Sequence, residues 1–220
     1  VRSYTAEVLV LGKTKLGETD LILTLLSSDN KQIRAVAKGA RKPGAKLCGL
    51  SEPFMVFEGK FHVGKTLNII SEAKATEAYA EIRSSYDCLM AGSVILEIAT
   101  QVTNDGDDIP RLYAMTRTFL DVLSSASEKY VQVLVSAYLL KALAMMGYSP
   151  EYELCIKNER LAQLFRSTFE EVVRRKLPEE SVELKSESKK QLSDLRQVMN
   201  FTEKHLPVNL KALTQYRRSL

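Results

Sequence analysis

The hydrophobic pattern of this chain changes period once, near Glu77, and that change constrains the fold more than any other feature of its 220 residues. Before it, apolar and polar residues alternate over short runs, the spacing of half-buried strands. After it, apolar residues recur every three or four positions, the spacing of amphipathic helices. The predicted fold class is therefore α+β in two domains: an N-terminal five-stranded OB-type β-barrel in residues 1–80 and an all-α helical domain in residues 81–220.

Five runs carry the strand pattern: 4–11, 21–27, 32–39, 54–62 and 66–73. They are rich in β-branched residues and separated by Gly, Asn, Asp and Pro. The polar stretch "GKTKLGETD" reads as a loop between the first two, and a longer loop ends at Pro53. In the helical part, Leu112, Met115, Phe119 and Val122 share a face, as do Val131, Leu134, Tyr138, Ala142 and Met145 ahead of Gly147, a natural C-cap. Residues 158–176 place Leu161, Leu164, Phe165, Thr168 and Val172 on one stripe that stops before Pro178. The charge-dense stretch 178–190 reads as an exposed connection. Two terminal segments follow, the second opening with Pro207 in its first turn.

Residues 59–66 satisfy the letters of a phosphate-binding loop, with Gly59, Gly64, Lys65 and Thr66 in the required places. Such a loop needs a strand before it and a helix after it, whose first amides face the anion. Here "TLNIIS" follows, an extended and β-branched run, so Gly64 is expected to turn a hairpin. A P-loop nucleotidase using Gly59–Thr66 stays as an alternative that context disfavours. A second Gly-Lys-Thr at residues 12–14 lacks the upstream glycine.

Charge is uneven along the chain. Residues 1–80 hold twelve Lys/Arg against eight Asp/Glu, whereas residues 81–220 hold nineteen of each, so the whole excess of +4 lies in the first third. Within it, "NKQIRAVAKGARKPGAKLCGL" (30–50) carries Lys31, Arg34, Lys38, Arg41, Lys42 and Lys46 and no acidic residue. A basic run is ordinarily just a solvated face. One without interspersed carboxylates suits a polyanion. Alternation puts Ile33, Ala35 and Ala37 on one side of the third strand and Arg34, Val36 and Lys38 on the other, so the small apolar set fills the barrel while the cations project outward into the Arg41-Lys42 turn. Six phosphate contacts predict a log–log salt slope of roughly −4 to −5. The run has no aromatic residue, and Phe57 and Phe61 read as core, so binding is expected to tolerate sequence.

Other chemistries find little support. Cys48, Cys88 and Cys155 are too few and too scattered for a disulfide framework or a paired metal site. His62 and His205 have no ligand partners at metal spacing, and no Ser-His-Asp or Cys-His set stands out. We therefore expect no catalytic residues, cofactor or metal. The most apolar window, 131–146, is interrupted by Gln132, Ser136 and Lys141, and the first residues alternate instead of forming a signal sequence; no membrane association and a cytoplasmic location are expected.

The segment "GETDLILTLLSSDNKQIRAVAKGARKPGAKLCGLSEPF" resembles the N-terminal domain of the RecO family of bacterial recombination mediators, which carries a G-E-x-D strand, an R-A-V-A-K-G-A-R-K-P-like strand and loop, and an L-E-P-F-like entry to strand four. "GYSPEYELC" and "HLPVNLKALTQYRRSL" are similar to the same family more loosely. The resemblance implies an OB-fold joined to a helical domain. It implies binding to single- and double-stranded DNA, annealing of complementary strands, and help in loading RecA on DNA coated by single-strand-binding protein (SSB). It also implies the partners RecR and the SSB C-terminal tail, with RecA engaged indirectly in the RecF pathway, and no catalysis. Many members carry two C-x-x-C pairs for zinc. Here Cys155 is followed by Ile156-Lys157-Asn158, so the region near 155–190 is read as zinc-less, with rigidity supplied by helix packing between Glu159 and Lys176. An OB-fold RNA binder or interaction scaffold is the other non-enzymatic alternative.

Overall fold

The computed structural model describes residues 2–103, 109–174, 181–206 and 209–220, the side chains of 181–185 excepted. The chain divides into two compact units, Val1–Tyr79 with Ala99–Ala114, and Ala80–Ile98 with Met115–Leu220.

The first unit is a closed barrel of β1 (Ser3–Leu16), β2 (Asp20–Ser27), β3 (Gln32–Ala37), β4 (Val56–His62) and β5 (Asn68–Glu77) in the order β1-β2-β3-β5-β4. Closure depends on the length of β1, whose first half pairs with β4 and whose second half pairs with β2. A register shift between Val10 and Gly12 bends the strand between these two partners. The predicted polar loop after residue 11 is therefore strand: Lys13, Thr14, Lys15 and Leu16 pair with Leu23, Ile22, Leu21 and Asp20. Their polarity reflects exposure beyond the barrel wall, a pattern that resembles a loop when only hydrophobicity is read. The long loop before Pro53 likewise contains a short helix, α1 (Lys46–Leu50).

Alternation fills the barrel as expected. Val8, Val10, Leu21, Leu23, Leu25, Ile33, Ala35, Ala37, Phe57, Phe61 and Ile70 form one buried cluster. Phe57 and Phe61 are fully buried, each worth about 2–3 kcal/mol of apolar transfer. Gly59 lies between them on β4, where an added Cβ would sit 2.8 Å from both rings. This glycine makes room for aromatic packing. Gly64 belongs to the turn joining antiparallel β4 and β5, so the phosphate-loop letters span a strand and a hairpin with no helix behind them.

Residues 99–114 belong to the barrel unit. The Tyr113 backbone amide donates to Asn30 Oδ1 (3.0 Å), its hydroxyl donates to Glu7 Oε1 (2.6 Å), and Gln32 Nε2 donates to Thr100 O (2.9 Å).

The helices are α2 (Ala80–Ser84), α3 (Tyr86–Val102), α4 (Leu112–Ser125), α5 (Val131–Met145), α6 (Pro150–Glu153), α7 (Glu159–Arg166), α8 (Phe169–Arg174), α9 (Ser181–His205) and α10 (Lys211–Ser219). In the second unit α5 is the buried centre. Tyr138 packs against Phe119 and Phe169, with centroids 5.1 and 6.3 Å away, and shares a 2.9 Å hydrogen bond with Thr116 Oγ1. Gly147 (φ +87°) ends α5 as expected, and the Tyr148 amide donates back to Leu143 O at 3.1 Å.

Two expectations change here. The single stripe over 158–176 breaks at Ser167, because Thr168 and Glu171 form a capping box: Glu171 Oε2 accepts from the Thr168 amide (2.8 Å), and Thr168 Oγ1 accepts from the Glu171 amide (3.2 Å). The charged connection is helix from Ser181 onward, since Glu, Lys and Ser tolerate helix well when a later apolar face anchors them. Lys176, Pro178 and Pro207 lie outside the described residues. Among the described residues no helix is long and apolar enough to cross a membrane.

A charged clamp ties α7 to α9. Asn158 caps α7 and donates to Asp194 Oδ1 (2.9 Å), while Arg160 reaches Asp194 Oδ2 (2.8 Å) and Glu187 Oε1 (2.7 Å). Asp194 is buried.

Two outcomes test this packing. Gly59→Ala should lower unfolding stability by about 1–3 kcal/mol in urea titration, through collision with the two rings. Hydrogen bonding to Arg160, followed by charge attraction, holds the Glu187 carboxyl below its ordinary 4.5. Its contribution to stability is therefore present above that ordinary value and disappears as pH falls through the lowered one. The urea midpoints of wild type and Glu187→Gln should differ near neutral pH and converge on acidification.

Candidate nucleic-acid interface

The turn between β1 and β2 and the loop after β3 are held against each other by backbone-directed bonds. Gly17 (φ +59°) makes the first turn, and Gly39 (φ +66°) and Gly44 (φ +72°) shape the second. Asp20 Oδ1 accepts from the Gly39 amide (2.7 Å) and from Thr19 Oγ1 (2.9 Å). The Arg41 amide donates to Thr19 O (2.9 Å), and its guanidinium donates to Gly17 O (3.0 Å). The Gly39 amide bond is the main reason the Asp20 carboxyl is held below its usual range; Thr19 adds to it, and nearby Lys38 and Lys42 attract the charge.

The sequence-predicted cations divide into two places. Arg34 is exposed on the outer face of β3, opposite Thr24 of β2. Lys38 follows β3 directly, four residues and about 13 Å further along the strand direction. Arg41 and Lys42 are exposed in the stitched turn, and exposed Lys46 begins α1. Lys31 stands apart, at the opposite end of β3, with its ammonium 3.5 Å from Asp29. Alternation placed Arg34 and Lys38 correctly, while the third outward residue, Val36, is only 8 % exposed.

Two features escaped the sequence reading. The run contains no acid, yet register brings one to it: Leu21 pairs with Ala37, which sets Asp20 of the G-E-x-D motif beside Lys38. The chain also adds cations from the extended part of β1, where Lys15 is exposed and Lys13 is ion-paired with Glu52 at 2.5 Å. The signal for these was the alternation hidden in the Lys-Thr-Lys stretch.

The second unit offers different chemistry. Cys155 is buried in a short turn, and burial raises its thiol pKa. A single thiol does not fit a four-thiolate zinc site, and among the described residues no group of three or more His, Cys, Asp or Glu is disposed to hold a metal. Asn158, Arg160 and Glu187 of the clamp lie within the stretch near 155–190 read from the sequence as zinc-less, and Asp194 lies just beyond it.

A closed five-stranded barrel of this strand order, with a cationic strand end and loop, joined in one chain to an all-α unit, defines an OB-fold protein carrying a helical C-terminal part. Sequence comparison narrows the class. The profile described as "Recombination protein O N terminal" matches residues 1–79, and "Recombination protein O C terminal" matches residues 83–214. The chain belongs to the recombination protein O family. It is similar to the "DNA repair protein RecO" of Bifidobacterium longum strains DJO10A and NCC 2705, 33% identical to each over 155 residues, which is 70% of this chain and 64% of each relative.

The stitch is testable by itself. Asp20→Ala should accelerate hydrogen exchange at the Gly39 amide while leaving β4 and β5 protected. Unchanged protection at Gly39 would mean that the loop is held by something else.

Proposed function

We propose that the barrel is a DNA-binding module and that the chain acts, without catalysis, in DNA repair and homologous recombination. In this reading it binds single- and double-stranded DNA, anneals complementary strands and assists RecA loading on SSB-coated DNA, with RecR and the SSB C-terminal tail as partners. Membership of the recombination protein O family and the name of the relatives, DNA repair protein RecO, support the pathway. The observation that carries the DNA contact is the exposure of Arg34 on the outer face of β3 and of Lys38, Arg41, Lys42 and Lys46 in the segment that follows it. The neighbouring carboxylate, Asp20, is already engaged by the Gly39 amide.

The physical logic is counterion release. Each ammonium or guanidinium that neutralises a phosphate frees condensed cations from DNA, so affinity falls steeply with salt and depends little on sequence. Arg41 contributes less freely than its neighbours, because one guanidinium nitrogen is spent on Gly17 O. Its remaining donors still face solvent, and the bond holds the side chain in place, which reduces the entropy lost on binding. Lys31 is assigned a smaller share, given its pairing with Asp29.

The test is a salt titration of DNA binding. Changing Arg34, Lys38, Arg41 and Lys42 together to Ala should weaken binding and make the log–log slope shallower by up to about 3.6 on duplex. An unchanged affinity and slope would remove the barrel face from the DNA contact.

A further inference from the structure

The barrel closes, but β5 outruns its partner on one side. β3 bonds to β5 in parallel only at Ala35–Asn68 and Val36–Ile69, and then gives way to its loop and α1. β5 runs on to Glu77, and among the described residues β4 is the only strand that pairs with its stretch from Ser71 to Glu77. The helix α1 lies near β5, but a helix does not continue a sheet's hydrogen-bond ladder. Ser71, Glu72, Lys74, Ala75, Thr76 and Glu77 are exposed. On the free side of this stretch alternate residues turn an amide and a carbonyl outward, the template that a further strand takes up.

Charge along this edge favours one occupant, a second copy of the same edge. Ala73 pairs with Gly59 and packs against the core cluster, so Glu58 and Lys60 of β4 and Glu72 and Lys74 of β5 face outward. Register sets Glu58 opposite Lys74 and Lys60 opposite Glu72, and the Lys60 ammonium is 3.2 Å from the Glu72 carboxylate. Two such edges meeting antiparallel about a twofold axis at Ala73 put Glu72 of each copy opposite Lys74 of the other. The row then runs from Glu58 and Lys74 of one copy to Glu72 and Lys60 of the other, alternating in sign over four strands. Unlike charges directly opposite contribute roughly 0.2–1 kcal/mol a pair, and like charges there destabilise. An axis at Lys74 would overlap more of the edge, but it sets two ammonium groups face to face. Lys74 thus acts against that register and for the one at Ala73.

We propose that the chain self-associates through β5, edge to edge and antiparallel about Ala73, so that two barrels share one sheet. The overlap is short, residues 71–75 of each copy, and buries less than the roughly 1,200 Å² of a stable interface, so the pair is a weak one that forms at high local concentration. The pairing needs neither DNA nor the DNA-binding reading proposed above. Where that reading holds, each pair carries two copies of the basic loop, one for each of two strands brought together.

The experiment follows the mean mass of the whole chain, without DNA, by sedimentation equilibrium from low micromolar to near-millimolar concentration. Wild type should rise from one copy per particle toward two. Glu72→Lys should weaken the association about tenfold, since two attractive pairs become repulsive. Glu72→Lys/Lys74→Glu exchanges the charges and should restore it. A second measurement reads the register. Directly opposite residues on antiparallel strands have Cα atoms about 4.5–5.5 Å apart, within reach of a disulfide. On a Cys48→Ser background, which removes the exposed thiol, Ala73→Cys should give a covalent dimer with oxidised glutathione. Ala75→Cys, which this axis sets about 13 Å from its own copy, should not. A wild type that stays single at the highest concentration overturns the proposal. So does pairing that Glu72→Lys leaves unchanged, or a loss that the charge exchange does not restore in a variant whose thermal unfolding matches wild type. If the charge variants do not fold, the cysteine variants decide: a covalent dimer from both, or from neither, overturns it.

Discussion

One carboxylate couples the barrel to its basic loop. Asp20 begins β2, and its Oδ1 takes the amide of Gly39 just beyond β3. This bond fixes where the chain leaves the barrel and so where Lys38, Arg41 and Lys42 emerge. The same negative charge lies near Lys38 and Lys42 and eases the repulsion of crowding cations on one loop. Its cost is that the loop's field is one charge weaker than the run of residues 30–50 suggests. A loop held in one place at reduced charge binds a phosphate backbone with less ordering entropy than a stronger but mobile one.

The barrel makes this coupling possible through β1. A strand of 14 residues that bends at Gly12 pairs first with β4 and then with β2, which closes the sheet and carries a hairpin past the rim. That hairpin supplies Gly17 O and Thr19 O as acceptors for Arg41. The interior sets the opposite constraint: Phe57 and Phe61 need the space that Gly59 leaves. The helical unit holds itself by other means, an aromatic cluster around Tyr138 and an ionic clamp around Asp194.

Much of this was legible in the sequence because it follows from period. Alternation identified the five strands and the inward set of β3, and a C-cap glycine located the end of α5. What escaped depends on pairing partners that one strand does not encode. The 13–16 stretch has the composition of a loop and becomes strand only because β2 lies beside it. Asp20 looked remote from the basic run until register set it next to Lys38. In the helical part, Thr168 and Glu171 have the spacing of a capping box, but Thr168 also sits on the stripe read from the sequence as continuous, so the helix break there was not expected. The polar first turns of α9 gave no apolar period to read. Arg160 could not be matched to Asp194 and Glu187, which lie 34 and 27 residues away.

The central claim is that exposed cations on β3 and the loop after it form the DNA contact. The most direct measurement is an amide chemical-shift titration of the whole chain with a short single strand of DNA. The account predicts that the largest shifts fall on the β1–β2 hairpin, on β3 and on residues 38–46, and that they fade as salt is raised. Shifts confined to the helical unit, with these segments unmoved, would contradict it.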